Sequence, residues 1–185
     1  SSDGKFRLAI KSTETGTDNK INFDQKNNAG KISDGAAKLF GNIAQKDVWQ
    51  TNLFDGATVT KDSKINMGNL TINGTSIDTT NKSYSDLVTE INKISGVQAS
   101  LIESSDGKFR LAIKSTETGT ANKINFNTKD ISGNDLGVSS GAAKLFGDGS
   151  ALSDSLNVLK AQDMELKADG VNYSSSSNTV TIDGL

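Results

Sequence analysis

The chain has 185 residues, a formal net charge of −2, 34% hydrophobic residues and neither Cys nor His. No run of Lys or Arg supplies the basic footprint that nucleic acid or an anionic membrane surface requires, and no apolar stretch is long enough to span a bilayer. Cys/His zinc sites, thiol nucleophiles and Ser-His-Asp triads are excluded from this segment, while carboxylate and Ser-Lys chemistry stay formally open.

Residues 1–24 return at 104–127 with two changes, Asp18 to Ala121 and Asp24 to Asn127. Gly35–Gly41 (Gly-Ala-Ala-Lys-Leu-Phe-Gly) returns as Gly141–Gly147. A repeat of this kind decides the architecture before any local reading does. The first copy lacks what precedes the second, so the chain reads as opening partway through a module of a longer, repeat-built protein. Residues 46–63, with Trp49 and Phe54, show no clean period. They read as a loop or linker, with Trp49 filling the joint between modules.

The second copy is the better preserved. Leu70 and Ile72 alternate with Thr71 and Asn73, and Asn73-Gly74 favours a type I′ turn, so Asn69–Ile77 reads as a tight hairpin. In the stretch 81–96, Tyr84, Leu87, Val88, Ile91 and Ile94 share one face of a helix. Ser83 is its predicted cap, Asp86 its capping-box partner and Gly96 its stop. The period then falls to two: Val97, Ala99 and Leu101, a turn at Ser104–Gly107, then Phe109, Leu111 and Ile113. That pattern predicts a hairpin with one wet face and one covered by the helix. Lys123–Phe126 offers a further short strand, and Gly141–Gly147 a helical turn with Leu145 and Phe146 inward. Leu152, Leu156 and Leu159 fit either a short helix or an irregular apolar segment. Met164, Leu166 and Ala168 alternate as a strand, Asp169-Gly170 turns, and Val171 and Tyr173 continue. Ser174–Ser177 reads as a flexible tract and Thr179–Leu185 as a strand.

The predicted fold is α+β: antiparallel sheets or hairpins, each covered by a short helix, repeated twice. The predicted division is 1–60 (the C-terminal part of a first module plus linker), 61–150 (a complete second module) and 151–185 (a return segment). With 5% aromatics, modules of about 80 residues should have thin cores. The lack of Cys leaves the redox compartment open. The lack of proline removes slow isomerisation steps, which suits a chain that refolds after export, although chance composition produces it equally.

Candidate chemistry is sparse. Asp-Gly pairs at 3–4, 34–35, 55–56, 106–107, 148–149, 169–170 and 183–184 lack the alternating oxygen series of a calcium loop and read as turns. Gly133–Gly137 and Gly147–Gly149 lack the Lys-Ser/Thr ending of a phosphate loop. Sequons at Asn69, Asn73, Asn81 and Asn172 are expected by accident in a chain this rich in Asn, Ser and Thr. Glu14 and Asp18 are not a required catalytic pair, because Asp18 becomes Ala121. Lys5, Arg7 and Lys11, with Lys108, Arg110 and Lys114, form a basic stripe that reads as a solvated strand face. No catalytic, cofactor-binding or metal site is expected, and no cofactor.

Leu70–Ile77, Leu87–Asn92, Val97–Ile102 and Phe109–Gly119 together resemble the flagellin hook IN motif, named for its Ile-Asn pair, here Ile91-Asn92. Ala161–Val180 followed by Asp183-Gly-Leu185 resembles the flagellar cap protein family (hook-associated protein 2, FliD). The departures are Met164, where the family often has Ala, and Tyr173-Ser, where a threonine-rich strand is usual. The IN motif covers about 65–120 and, truncated, 1–24. The resemblance implies a secreted structural protein of the bacterial flagellum, located at the filament tip. Its implied work is to promote flagellin polymerisation and prevent flagellin leakage, as a ring-like homo-oligomer. Implied partners are flagellin, hook-associated junction proteins and a host surface, with no nucleic acid, no membrane and no enzymatic activity. On that resemblance this segment corresponds to outer domains, and 151–185 leads toward a stalk. The alternatives are a surface domain of a flagellar hook protein, or a carbohydrate- or receptor-binding module of a bacterial adhesin.

Overall fold

The computed structural model describes residues 43–168 and 171–178. The first repeat copy, the Gly35–Gly41 block, Asp169-Gly170 and Thr179–Leu185 lie outside the described residues. In chain order the elements are β1 (Val48–Gln50), β2 (Lys64–Ile65), β3 (Asn69–Ile72), β4 (Thr75–Asp78), β5 (Lys82–Ser83) and helix α1 (Tyr84–Ile91). There follow β6 (Val97–Glu103), β7 (Phe109–Ser115), β8 (Asn127–Lys129), β9 (Asp135–Val138) and helix α2 (Ser140–Phe146). The last are β10 (Asn157–Leu159), β11 (Met164–Ala168) and β12 (Val171–Ser175). The described residues are thus α+β with antiparallel pairings throughout.

The centre is a four-stranded sheet in the order β10-β1-β7-β6. Period-two alternation aims Val97 and Ala99 of β6, and Phe109, Leu111 and Ile113 of β7, into the core. Helix α1 covers that face with Tyr84, Leu87 and Ile91. Burying each large apolar side chain there is worth about 1.5–3 kcal/mol. The helix begins as its sequence requires. Ser83 Oγ accepts from Asp86 N at 3.0 Å, and Asp86 Oδ2 accepts from Ser83 N at 2.8 Å. The Ser83 main-chain N–H, followed by the Ser83 hydroxyl, lowers the Asp86 carboxyl below its usual range. The helix ends at Ile91 rather than near Gly96, which follows in a positive-φ turn (φ 83°).

The β3–β4 hairpin turns through Asn73 (φ 49°) and Gly74 (φ 83°), the left-handed pair that a type I′ turn needs. Leu70 and Ile72 are fully buried. Helix α2 packs so closely on β3 that a Cβ on Gly141 would stand 2.9 Å from Leu70 N. Scarce aromatics are concentrated rather than spread thin. Trp49, Phe126 and Phe146 form one cluster with centroids 5.3–6.0 Å apart. Phe54, Tyr84 and Phe109 form a second at 4.7–5.4 Å.

Four local readings change. Residues 48–50 are a strand between β7 and β10, and Trp49 lies in the core of the same sheet that the 97–115 hairpin builds. Three residues are too few to show a period. Lys123–Phe126 is irregular; Ile124 and Phe126 are buried, and pairing starts only at Asn127. The 152–159 segment is a 3₁₀ turn at Asp154–Leu156 followed by β10. The serine tract, read as flexible, instead continues β12 through Ser174 and Ser175.

Candidate functional surface

The described Asp-Gly pairs are turns whose carboxylates are occupied by neighbouring donors. Asp148 Oδ1 accepts from Ser150 Oγ at 2.7 Å and from the Ser150 and Ala151 amides at 2.8 and 2.9 Å, which lowers its pKa to about 2. Asp106 is lowered to about 2 by the Ser104 hydroxyl and by Lys108, whose Nζ lies 3.0 Å away. Asp55 accepts from Ala57 N at 3.1 Å. Of the described part of the basic stripe, Lys108 pairs with Asp106, Arg110 Nη1 donates to the neutral Gln50 Oε1 at 3.0 Å, and Lys114 is exposed. Lys5, Arg7, Lys11, Glu14 and Asp18 lie outside the described residues. Among the described residues no group of three or more His, Cys, Asp or Glu could hold a metal ion, and no helix is long and apolar enough to cross a membrane.

The residue that sequence reading missed is Asp47, fully buried at the entrance to β1. Its Oδ2 accepts from Trp49 Nε1 at 3.2 Å and from Ile124 N at 2.8 Å, and its Oδ1 accepts from Asn157 Nδ2 at 3.0 Å. Its main chain is anchored as well: Asp47 N donates to Ser115 Oγ at 3.0 Å, and Ser115 N donates to Asp47 O at 2.8 Å. Its side chain thus joins β1, the 123–126 segment and β10, and its main chain adds the end of β7. A buried carboxyl is tolerated because donors surround it. With both oxygens engaged in this way, Asp47 is a structural tie. Beside it a cavity of about 480 Å³ is walled by Trp49, Ile124, Phe126 and Leu152, with Lys123 and Lys160 at its margin.

Exposed apolar residues mark the surfaces available for contact. On the β8–β9 hairpin, Ile131 is fully exposed and Leu136 is 65% exposed. The tip that presents Ile131 is cross-linked through Asp130. Asp130 Oδ1 accepts from the Ser132 and Asn134 amides at 2.8 Å each, and Asp130 Oδ2 accepts from Asn134 Nδ2 at 2.8 Å. Ile102, Leu53 and Val158 are also exposed, Ile102 and Val158 on strands of the central sheet. The β11–β12 hairpin is tied to the rest chiefly by polar contacts. Asp163 accepts from Thr120 N at 2.8 Å and from Thr120 Oγ1 at 2.7 Å, and Gln45 and Gln162 form a bridge.

No family model and no curated protein sequence matches the chain. Solved structures do. The D1-D2-D3 domains of the Escherichia coli flagellar cap protein FliD align with a TM-score of 0.56 and 25% identity, over 78% of this chain and 41% of that one. The E. coli D2-D3 structure aligns at 0.54 and 25%, over 78% of this chain and 73% of that one. FliD (HAP2) of Pseudomonas aeruginosa PAO1 aligns at 0.51 and 25%, over 77% and 66%. This chain therefore spans less than half of the three-domain structure and about three quarters of the two-domain one. These neighbours are flagellar cap proteins and not an enzyme family. Two stretches that carried the resemblance, the IN motif and the start of the cap-like tail, fall on the β3–β7 unit and on β11–β12. The chain is a structural relative of the flagellar cap protein FliD, with a fold similar to its D2-D3 domains.

Proposed function

We propose that this chain is an outer segment of a bacterial flagellar filament cap, working as a structural component that promotes flagellin polymerisation at the filament tip and prevents flagellin leakage. The observation that carries the reading is the alignment with FliD D2-D3 domains over most of both chains. A surface rich in turns and exposed apolar points, with its buried acid committed to structure, supports mechanical work over catalysis. In this reading the parent protein is exported, forms a ring-like homo-oligomer and meets flagellin and hook-associated junction proteins. Some host-surface contact belongs to the same proposal.

The test is deletion of the segment encoding residues 43–178 from the parent gene. Motility should fall, and unpolymerised flagellin should accumulate in the medium. Normal filaments with no flagellin shed would overturn the reading. A hook surface domain would instead leave filament growth intact and alter the hook.

A further inference from the structure

Among the described residues, strand β6 is an edge of the central sheet. The bonds that flank its pairing with β7, Thr116 N to Gly96 O and Ser104 N to Lys108 O, set the phase of the ladder. Even-numbered residues of β6 therefore bond β7, and the odd-numbered residues turn their N–H and C=O groups outward. An outward row of this kind is a template for another strand. At its middle the row is closed by a side chain. Asn92 Oδ1 accepts from Ala99 N at 2.7 Å, and Asn92 Nδ2 donates to Ala99 O at 3.1 Å. A carboxamide has one acceptor and one donor side by side, the same pair that a residue of an adjacent antiparallel strand offers. Ala99 is thus bonded as though a fifth strand lay beside it.

The rest of the edge is short. Leu101 and Glu103 make no main-chain bond outward to any described residue. Glu103 is held at its carboxylate by Lys61 Nζ at 2.8 Å, which puts a charged side chain beside the strand's end. Ile102, between them, is exposed. Without the Asn92 clamp, the outward groups of Ala99, Leu101 and Glu103 would form a continuous run. Two copies meeting there would pair antiparallel around a two-fold axis and extend one sheet into the other.

We propose that Asn92 is a strand surrogate that closes this edge and keeps a second copy of the chain from adding to the sheet. Its partner in the named pair, Ile91, is fully buried. The Ile-Asn doublet therefore anchors the helix with one residue and seals the sheet with the next. This role is independent of where the parent protein works.

Sedimentation velocity on the full chain tests it across a concentration series. Asn92→Ala should self-associate at least about ten-fold more tightly than the parent, and adding Ile102→Lys should abolish the gain, because a charge on an edge strand opposes pairing. Folded Asn92→Ala with unchanged association would overturn the proposal. So would association that Ile102→Lys leaves intact. Amide hydrogen exchange on the unaltered chain is the second test and needs no variant. The Ala99 amide should exchange at least about ten-fold more slowly than that of Leu101, and equal rates would also overturn the proposal.

Discussion

Replacing Asp47 separates a structural tie from a spectator. Asp47→Ala removes the acceptors of three donors at once: the Trp49 indole N–H, the Ile124 amide and the Asn157 side-chain amide. All three residues are buried but line the adjoining cavity, so water entering it can replace only part of the lost partner. Each stranded donor costs about 1–3 kcal/mol. Relaxation shared among neighbours keeps the total below the simple sum, at about 3–5 kcal/mol. That is a large part of the roughly 5–15 kcal/mol by which a domain is stable. Asp47→Asn should behave differently. The amide oxygen can keep the Trp49 and Ile124 bonds, and its NH₂ would face Asn157. Asn157 Oδ1 has no hydrogen-bond partner among the described residues, so rotating that amide by a half turn gives the new donor an acceptor. The asparagine variant should therefore lose under about half of what alanine loses. Urea unfolding followed by Trp49 fluorescence reads both. Equal losses for the two variants, or a loss below about 1 kcal/mol for alanine, would refute the accounting by stranded donors.

Ile91→Asp places an unpartnered carboxylate in the centre of the α1–sheet contact and should cost several kcal/mol, about 3 or more; an unchanged melting curve contradicts the packing described. Ser83→Ala removes the side-chain half of the capping box and should cost about 1 kcal/mol, read from the same denaturation curves. Acid stability should follow the turn carboxylates. Asp106 and Asp148 are lowered in the folded state from 3.8 to about 2, so their contribution is complete above the unfolded value and disappears as pH falls from near 4 toward 2. Asp148→Asn should flatten the dependence of melting temperature on pH across that window, and a curve parallel to the parent's would contradict the assignment.

How much was legible in the sequence followed the range of the interactions. The Asn73-Gly74 turn, the Ser83 cap, the helix face and the 97–115 hairpin each depend on residues within about one element of one another, and each is found where its pattern lies, except that the helix stops at Ile91 and leaves Ile94 beyond its end. Strands β1 and β10 are three residues long; β1 exists because it flanks β7 and β10 because it flanks β1, facts held in no local period. Asp47 looked like any surface acid, since its partners Ile124 and Asn157 stand 77 and 110 positions away. Ile131 and Leu136 gave no signal either, because a lone apolar residue in a polar loop is ordinary sequence. Asn92 was visible only as half of a named doublet. Its contact with Ala99 spans seven residues, but the capacity to close a sheet edge becomes evident only when the edge itself is seen.

The long reach of Asp47 has a kinetic corollary. When a polypeptide emerges gradually from a narrow conduit, in either direction, nearby turns and the helix can form as they appear. The buried acid meets its last partner only after roughly the whole stretch between them has come out. Until then its aromatic neighbours stay wet and the interior stays unsealed. Completion is thereby coupled to delivery of the entire segment, and a stalled or shortened molecule is left open and soft.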